Sequence, residues 1–180
     1  QEIRNCIFRA YSVDLNQILR DIALIPAFEE LISPSVTKKE QMFLEELVLR
    51  FFAFKNLDEE FRTTVPQFLT EFMKDVSKGD VEFDLEYEKD SFIELITLLN
   101  HKYGKDLFRP KGNFSLHIFD SIAYALPKVL TDYSKNKEKM FKLIDALRTD
   151  TTYNSIGTST FSNKRIKNRM NRALEIFKSA

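Results

Sequence analysis

Thr37-Lys38-Lys39-Glu40-Gln41-Met42-Phe43-Leu44-Glu45-Glu46-Leu47-Val48-Leu49-Arg50-Phe51-Phe52-Ala53-Phe54-Lys55 is the stretch that decides the fold. Thr37 followed by Glu40 has the spacing of a capping box, in which a hydroxyl and a carboxylate satisfy reciprocal unpaired amides at a helix start. The residues that follow, Met42, Phe43, Leu44, Leu47, Val48, Leu49, Phe51, Phe52 and Phe54, leave almost no polar face. A helix that is apolar all round has to be covered by other elements, so this one, over 37–55, belongs at the centre of a helical bundle. Arg50 interrupts the apolar run. An unpaired charge there would cost several kcal/mol, so it needs a carboxylate, backbone carbonyls or solvent at a domain face.

Outward from this segment the rest of the chain also reads as helix. Glycine and proline are scarce, at 4 and 5 of 180 residues, while apolar residues recur at helical spacing. An opening helix runs through about Ala10. Asp14 can cap a second helix with Leu15, Ile18, Leu19 and Ile22 on one face, stopped near Pro26, and a short one through Phe28, Leu31 and Ile32 ends before Pro34. Thr64 and Pro66 suit the start of a helix over Phe68, Leu69, Phe72, Met73 and Val76, and Gly79 suits its end. Val81 to Tyr87 alternates apolar and acidic residues. With no second strand to pair with, it is helical or an extended lead-in to a helix from about Asp90 to Gly104. A loop at Arg109–Asn113 leads to a helix over Leu116, Phe119, Ile122, Ala123 and Leu126, kinked or ended by Pro127. Two more follow, over Met140–Leu147 and from Ser162 to Phe177, separated by a Thr-, Ser-, Asn- and Gly-rich loop at 149–161. The expected architecture is a single all-α domain over 1–180, an irregular bundle of about eight helices around the apolar one.

Composition removes several function classes. With 27 basic and 27 acidic residues there is no chain-wide field to drive nonspecific binding to nucleic acid or membrane, so any basic surface is local. One cysteine, Cys6, excludes an intramolecular disulfide and fits a reducing, cytoplasmic setting. No stretch approaches the roughly 18 apolar residues of a membrane span, and charges break any signal-peptide core in the first thirty. The sequence contains no phosphate-binding glycine loop, no Gly-x-Ser-x-Gly, no His-Glu-x-x-His and no Cys-x-x-Cys. No catalytic residue and no metal ligand is assigned.

Three groups carry candidate chemistry. Asp120, within Leu116-His117-Ile118-Phe119-Asp120-Ser121-Ile122, is a charge in an apolar frame, the mirror image of Arg50. A buried Arg50–Asp120 ion pair between two central helices satisfies both, in a structural rather than a catalytic role. His117, one turn before Asp120, is placed to be oriented by it, or is simply packed. The final helix carries Lys164, Arg165, Lys167, Arg169, Arg172 and Lys178 against a single acid, Glu175, over an apolar stripe of Ile166, Met170, Leu174 and Phe177. Facing outward, these cations can track a DNA backbone; the plainer reading is a solvated basic face. Glu2, Arg4 and Asn5 lie within one helical turn, and Arg with Asn can hold a phosphate or a carboxylate through several directed donors, or act as a cap and ion pair within the fold.

Gln1-Glu2-Ile3-Arg4-Asn5-Cys6-Ile7-Phe8, Glu46-Leu47-Val48-Leu49-Arg50-Phe51-Phe52-Ala53 and Phe119-Asp120-Ser121-Ile122 together resemble the helical portion of the GmrS-like, GmrSD-type family of modification-dependent restriction and anti-phage proteins. The likeness covers most of the chain and is densest in the first fifty-three residues. In that family a ParB-like N-terminal domain with a DGQQR motif precedes the helical part, and this chain has no such motif. The resemblance therefore implies a fragment of a larger protein, opening without Met on a charged helix-forming segment. The whole would be a cytoplasmic, nucleotide-dependent endonuclease using a nucleoside triphosphate and Mg²⁺, with an HNH-nuclease domain or subunit as a further partner. The fragment itself would be non-catalytic and would support the missing domain and contact DNA, with Glu2, Arg4 and Asn5 facing that domain or its nucleotide site. The alternative is a free-standing helical adaptor that binds protein partners.

Overall fold

The structure, a computed structural model, describes residues 13–57, 61–110, 112–157 and 162–179. The expected opening helix, with Glu2, Arg4, Asn5 and Cys6, lies outside the described residues. Among those described there is no strand. Ten α-helices and one 3-10 turn form the fold, and eight of the helices have seven or more residues.

The first three helices follow the apolar spacing. Helix α1 (Val13–Ala23) buries Leu15, Ile18, Leu19 and Ile22 on one face, and Asp14 lies in its first turn instead of ahead of it. Helix α2 (Pro26–Ile32) starts on Pro26, whose missing N–H costs nothing in a first turn, and ends at Ser33 in the left-handed region at φ +46°. Helix α3 (Val36–Glu40) departs from the expected capping box. Its cap is Ser35, whose hydroxyl accepts from the Lys38 amide at 3.4 Å, and Thr37 is already inside the helix.

The helix does not run on from there into the apolar segment. Met42 takes φ +54°, and the central helix α4 (Phe43–Lys55) begins only at Phe43. Contacts hold the polar turn on its side of the break: Lys39 pairs with Glu29 of α2, and Lys38 lies 4.6 Å from the Phe43 ring centroid and 5.7 Å from that of Phe114.

Helix α5 (Val65–Lys78) is capped by Thr64 and closed by Gly79 at φ +76°, a conformation that glycine adopts without strain. Asp84 caps α6 (Leu85–Tyr103) by accepting from the Tyr87 amide at 3.0 Å, so this helix starts ahead of Asp90. The alternating 81–87 segment thus divides into a lead-in and a first turn, and Val81, Phe83 and Leu85 pack on the core. A 3-10 turn (Gly104–Phe108) follows. Helix α7 (Leu116–Ala125) stops before Pro127. Helix α8 (Lys137–Thr149) is followed at once by α9 (Thr151–Ser155), which replaces part of the loop expected at 149–161. Asp150 caps α9, accepting from the Tyr153 amide. Helix α10 (Asn163–Ser179) closes the described chain.

Helix α4 buries Leu44 and Leu47 through Phe54 without interruption, but it shares the centre of the bundle with α7. Helix α7 packs on α4 along one side and on α10 along the other, while α1 lies against α4 and α6, and α2 against α6. One continuous apolar core results. Its densest aromatic knot is Phe92 of α6, whose ring centroid lies 4.7 Å from Phe51, 5.8 Å from Phe52 and 5.4 Å from Phe28, all edge-on. No described helix is long and apolar enough to cross a membrane.

Candidate functional site

Polar chemistry inside the bundle is concentrated on one seam, where α7 meets α4 on one side and α9 and α10 on the other. Arg50 of α4 and Asp120 of α7 are 4% and 5% exposed, which makes solvent no alternative partner for either. Arg50 donates twice in parallel, from Nε to Asp120 Oδ1 at 2.9 Å and from Nη2 to Oδ2 at 2.5 Å. Glu46, one turn earlier on α4, stands 3.7 Å from Arg50 Nη1, and the guanidinium also lies 5.6 Å from the Phe54 ring centroid.

Burial works against the Arg50 charge, yet Asp120 and Glu46 outweigh it and hold the guanidinium above its ordinary value. Burial raises the Asp120 carboxyl, against the pull of Arg50 and, beyond it, Arg169. The paired geometry is that of an ionised carboxylate gripped by a fork of donors.

Next to the ion pair on α7, Ser121 and Tyr153 are each 1% exposed, and the Tyr153 hydroxyl lies 2.8 Å from Ser121 Oγ and 3.0 Å from the His117 carbonyl oxygen. Burial, the largest cause, lifts the Tyr153 phenol well above its ordinary range, so it stays a protonated donor. Arg169 donates to the Gly157 carbonyl. Arg172 grips Asp150 with Nε at 3.1 Å and Nη2 at 2.6 Å and reaches Glu175 at 3.1 Å with Nη1. Through these bonds α9 and the turn after it are strapped onto α7 and α10.

Of the candidate residues, the structure brings Arg50 and Asp120 together. It does not bring His117 to Asp120. The histidine's neighbours are Ser115 Oγ, 2.9 Å from Nδ1, and the Tyr153 ring, 6.2 Å away between centroids. The outward basic face is corrected at two positions. Arg169 is 3% exposed and points into the seam, and Arg172 is tied to two carboxylates. Helical geometry explains Arg169, because it shares the inner arc of α10 with Ile166, Met170 and Ala173. Lys164 and Arg165 remain exposed and Lys167 is half-buried, with the Arg165 guanidinium packed over Gly157.

Tyr153, Asp150 and Gly157 also belong to the seam although no motif in the sequence singles them out, and Ser121 joins it as the neighbour of Asp120. Asp150-Thr151-Thr152-Tyr153 did carry a legible signal, an aspartate three residues ahead of the amide it caps.

Every buried side-chain nitrogen and oxygen among the described residues has a hydrogen-bond partner. No group of three or more potential metal ligands occurs among them. A fully satisfied seam fixes helix register.

The seam makes the fold acid-sensitive. Burial first and the Arg169 charge second lower the His117 pKa to about 4 from its ordinary 6.5. The unfolded chain therefore binds a proton that the folded one refuses, and stability falls as pH drops from about 6.5 toward 4. Urea midpoints at pH 7 and pH 5 measure this. The loss on acidification should shrink in His117→Gln, and an equal loss in both proteins would mean that other groups carry it.

Compared with protein-family models, with curated protein sequences and with solved structures, the chain has no match.

Proposed function

We propose that this chain is the non-catalytic helical domain of a GmrS-like DNA-targeting defence protein, one that supports a ParB-like, nucleotide-hydrolysing domain and contacts DNA. The observation that carries the reading is the Arg50–Asp120 pair. Two of the segments on which the resemblance rests, 46–53 and 119–122, lie on facing helices and are locked to each other through it, 70 positions apart in sequence. A seam with every partner satisfied supports a scaffold role for the helical part. The nucleoside triphosphate, the Mg²⁺ and an HNH-nuclease partner belong in this reading to the parent protein, in the cytoplasm, and Glu2, Arg4 and Asn5 to the boundary with the catalytic domain. In this reading DNA contact falls to the exposed Lys164 and Arg165, since Arg169 and Arg172 are engaged within the chain.

The purified chain should neither cleave modified or plain DNA nor hydrolyse any nucleoside triphosphate with Mg²⁺ or Mn²⁺. In fluorescence anisotropy it should bind duplex DNA at low salt, with affinity falling steeply as salt rises. Lys164→Glu with Arg165→Glu should weaken binding and flatten the salt slope while leaving the far-UV circular dichroism unchanged. Turnover that scales with protein and survives repurification would overturn the non-catalytic assignment, and absence of DNA binding at low salt would overturn the DNA contact. The adaptor reading would then gain, and its surface would be the cleft lined by Leu24, Pro26, Glu29, Glu30, Ser33 and Pro34, where Leu24 is 80% exposed.

A further inference from the structure

Helix α9 is held to the bundle by polar bonds and a single ring. Of its five residues only Tyr153 is buried, and Ile156 and Gly157 after it are half-buried. The fork of Arg172 on Asp150, the bond from Arg169 to the Gly157 carbonyl and the Tyr153 hydroxyl on Ser121 and the His117 carbonyl fasten the segment from 150 to 157. A segment that buries so little apolar surface opens at less cost than the core it lies on. His117 stands where a proton works against this closure. The Tyr153 ring of α9 lies 6.2 Å from it between centroids, and the Arg169 guanidinium of α10, itself 3% exposed, acts on it through its charge. On α7 its ring meets the Ser115 hydroxyl, while Asp120, one turn on, is engaged by Arg50 of α4 with Glu46 beside it. An imidazolium here adds a second cation beside Arg169 on a half-buried ring. Asp150 is held below its ordinary value by its hydrogen bond from Arg172, so between pH 7 and pH 5 it is charged whether the segment is closed or open.

We propose that residues 150–157 form a strap that opens as a unit while the rest of the bundle stays folded, and that protonation of His117 drives the opening. Opening withdraws the Gly157 carbonyl from Arg169 and the turn from under the Arg165 guanidinium, and it uncovers Ser121 and His117 on α7. In the closed form His117 titrates at about 4 against its ordinary 6.5. An imidazole that regains its ordinary value once the strap lifts favours the open form about twentyfold more at pH 5 than at pH 7. The strap is thus a local acid switch, separate from loss of the whole fold, and it works whether or not α10 contacts DNA.

Native-state hydrogen exchange of the purified chain in low urea, corrected for intrinsic exchange rates, reads the opening. The amides of Tyr153, Asn154 and Ile156 are bonded to Asp150 and Tyr153. They should exchange through an opening that urea hardly changes, while the amides of α4 exchange through one that depends steeply on urea. Strap protection should fall about twentyfold from pH 7 to pH 5 in wild type and stay level in His117→Gln. Arg172→Gln, at a partly exposed position, should lower strap protection at both pH values. By linkage it should also move the His117 titration, followed by NMR, upward from about 4 toward 6.5, a readout that needs no substitution of the histidine. Strap and α4 amides that share one urea-dependent opening would overturn the independent strap. An acid response that survives in His117→Gln, or a His117 titration that Arg172→Gln leaves unmoved, would overturn the histidine as its trigger.

Discussion

Replacing Arg50 with methionine should destabilise the protein by about 3–5 kcal/mol, because it leaves the Asp120 carboxylate buried without its partner. Asp120 sits 5% exposed, and two of its hydrogen bonds come from Arg50. The Arg50→Met, Asp120→Leu double variant should recover much of that loss, since the isosteric apolar pair removes the desolvation penalty together with the attraction. Recovery should be incomplete. Arg169 is also buried and feels the Asp120 charge, and Glu46 loses the guanidinium one turn away. Denaturant melts of wild type, the two single variants and the double variant form the cycle. Strict additivity would mean that the two side chains do not act as a pair, and the seam would lose its role in setting the register of α4 against α7.

The second large effect belongs to the aromatic knot. Phe92→Ala should cost about 3–5 kcal/mol, the range for a large buried ring whose neighbours cannot fully collapse into the space. Phe92 is 1% exposed and meets Phe28 of α2 and both Phe51 and Phe52 of α4 edge-on, so one truncation loosens three helices. Phe141 provides the comparison. It is only half-buried on α8, against Tyr103, and Phe141→Ala should cost distinctly less. The readout is the urea midpoint at constant m-value. Equal shifts for the two variants would show that neither burial nor the three-helix knot sets the cost, and a changed m-value for Phe92→Ala would mean that the native or denatured state had changed its compactness.

Much of this organisation was legible before any coordinates. The stretch from Phe43 to Phe54 is so largely apolar that only a central helix can accommodate it, and α4 buries Leu44 and every residue from Leu47 to Phe54. Thr64 with Pro66 and Gly79 mark the ends of α5 because capping and left-handed closure are local properties of backbone and side chain. Where several local solutions compete, the sequence was less decisive. Ser35, Thr37 and Asp84 are all competent caps. Which of them starts a helix depends on where the polar turn at 37–40 and the apolar side chains of 81–85 can be placed against the rest of the molecule. Helix α9 was hidden for a related reason. Five residues of polar composition carry no periodicity, and what holds them is the Tyr153 hydroxyl in the seam and the Arg172–Asp150 pair.

From the sequence alone it follows that this protein is all-helical among its described residues, that α4 lies inside, and that Arg50 and Asp120 each need a partner. Those are consequences of periodicity and of the cost of burying charge, and both can be read one segment at a time. Tertiary structure alone decided that the two partners are each other, that His117 turns to Ser115 and not to Asp120, and that Arg169 is buried and Arg172 paired with Asp150 and Glu175 while Lys164, Arg165, Asn168 and Asn171 face outward. The physical reason is that an arginine looks the same in a sequence whether its donors meet a carbonyl twelve residues away or solvent. Only the packing of α10 onto α7, α8 and α9 chooses between them.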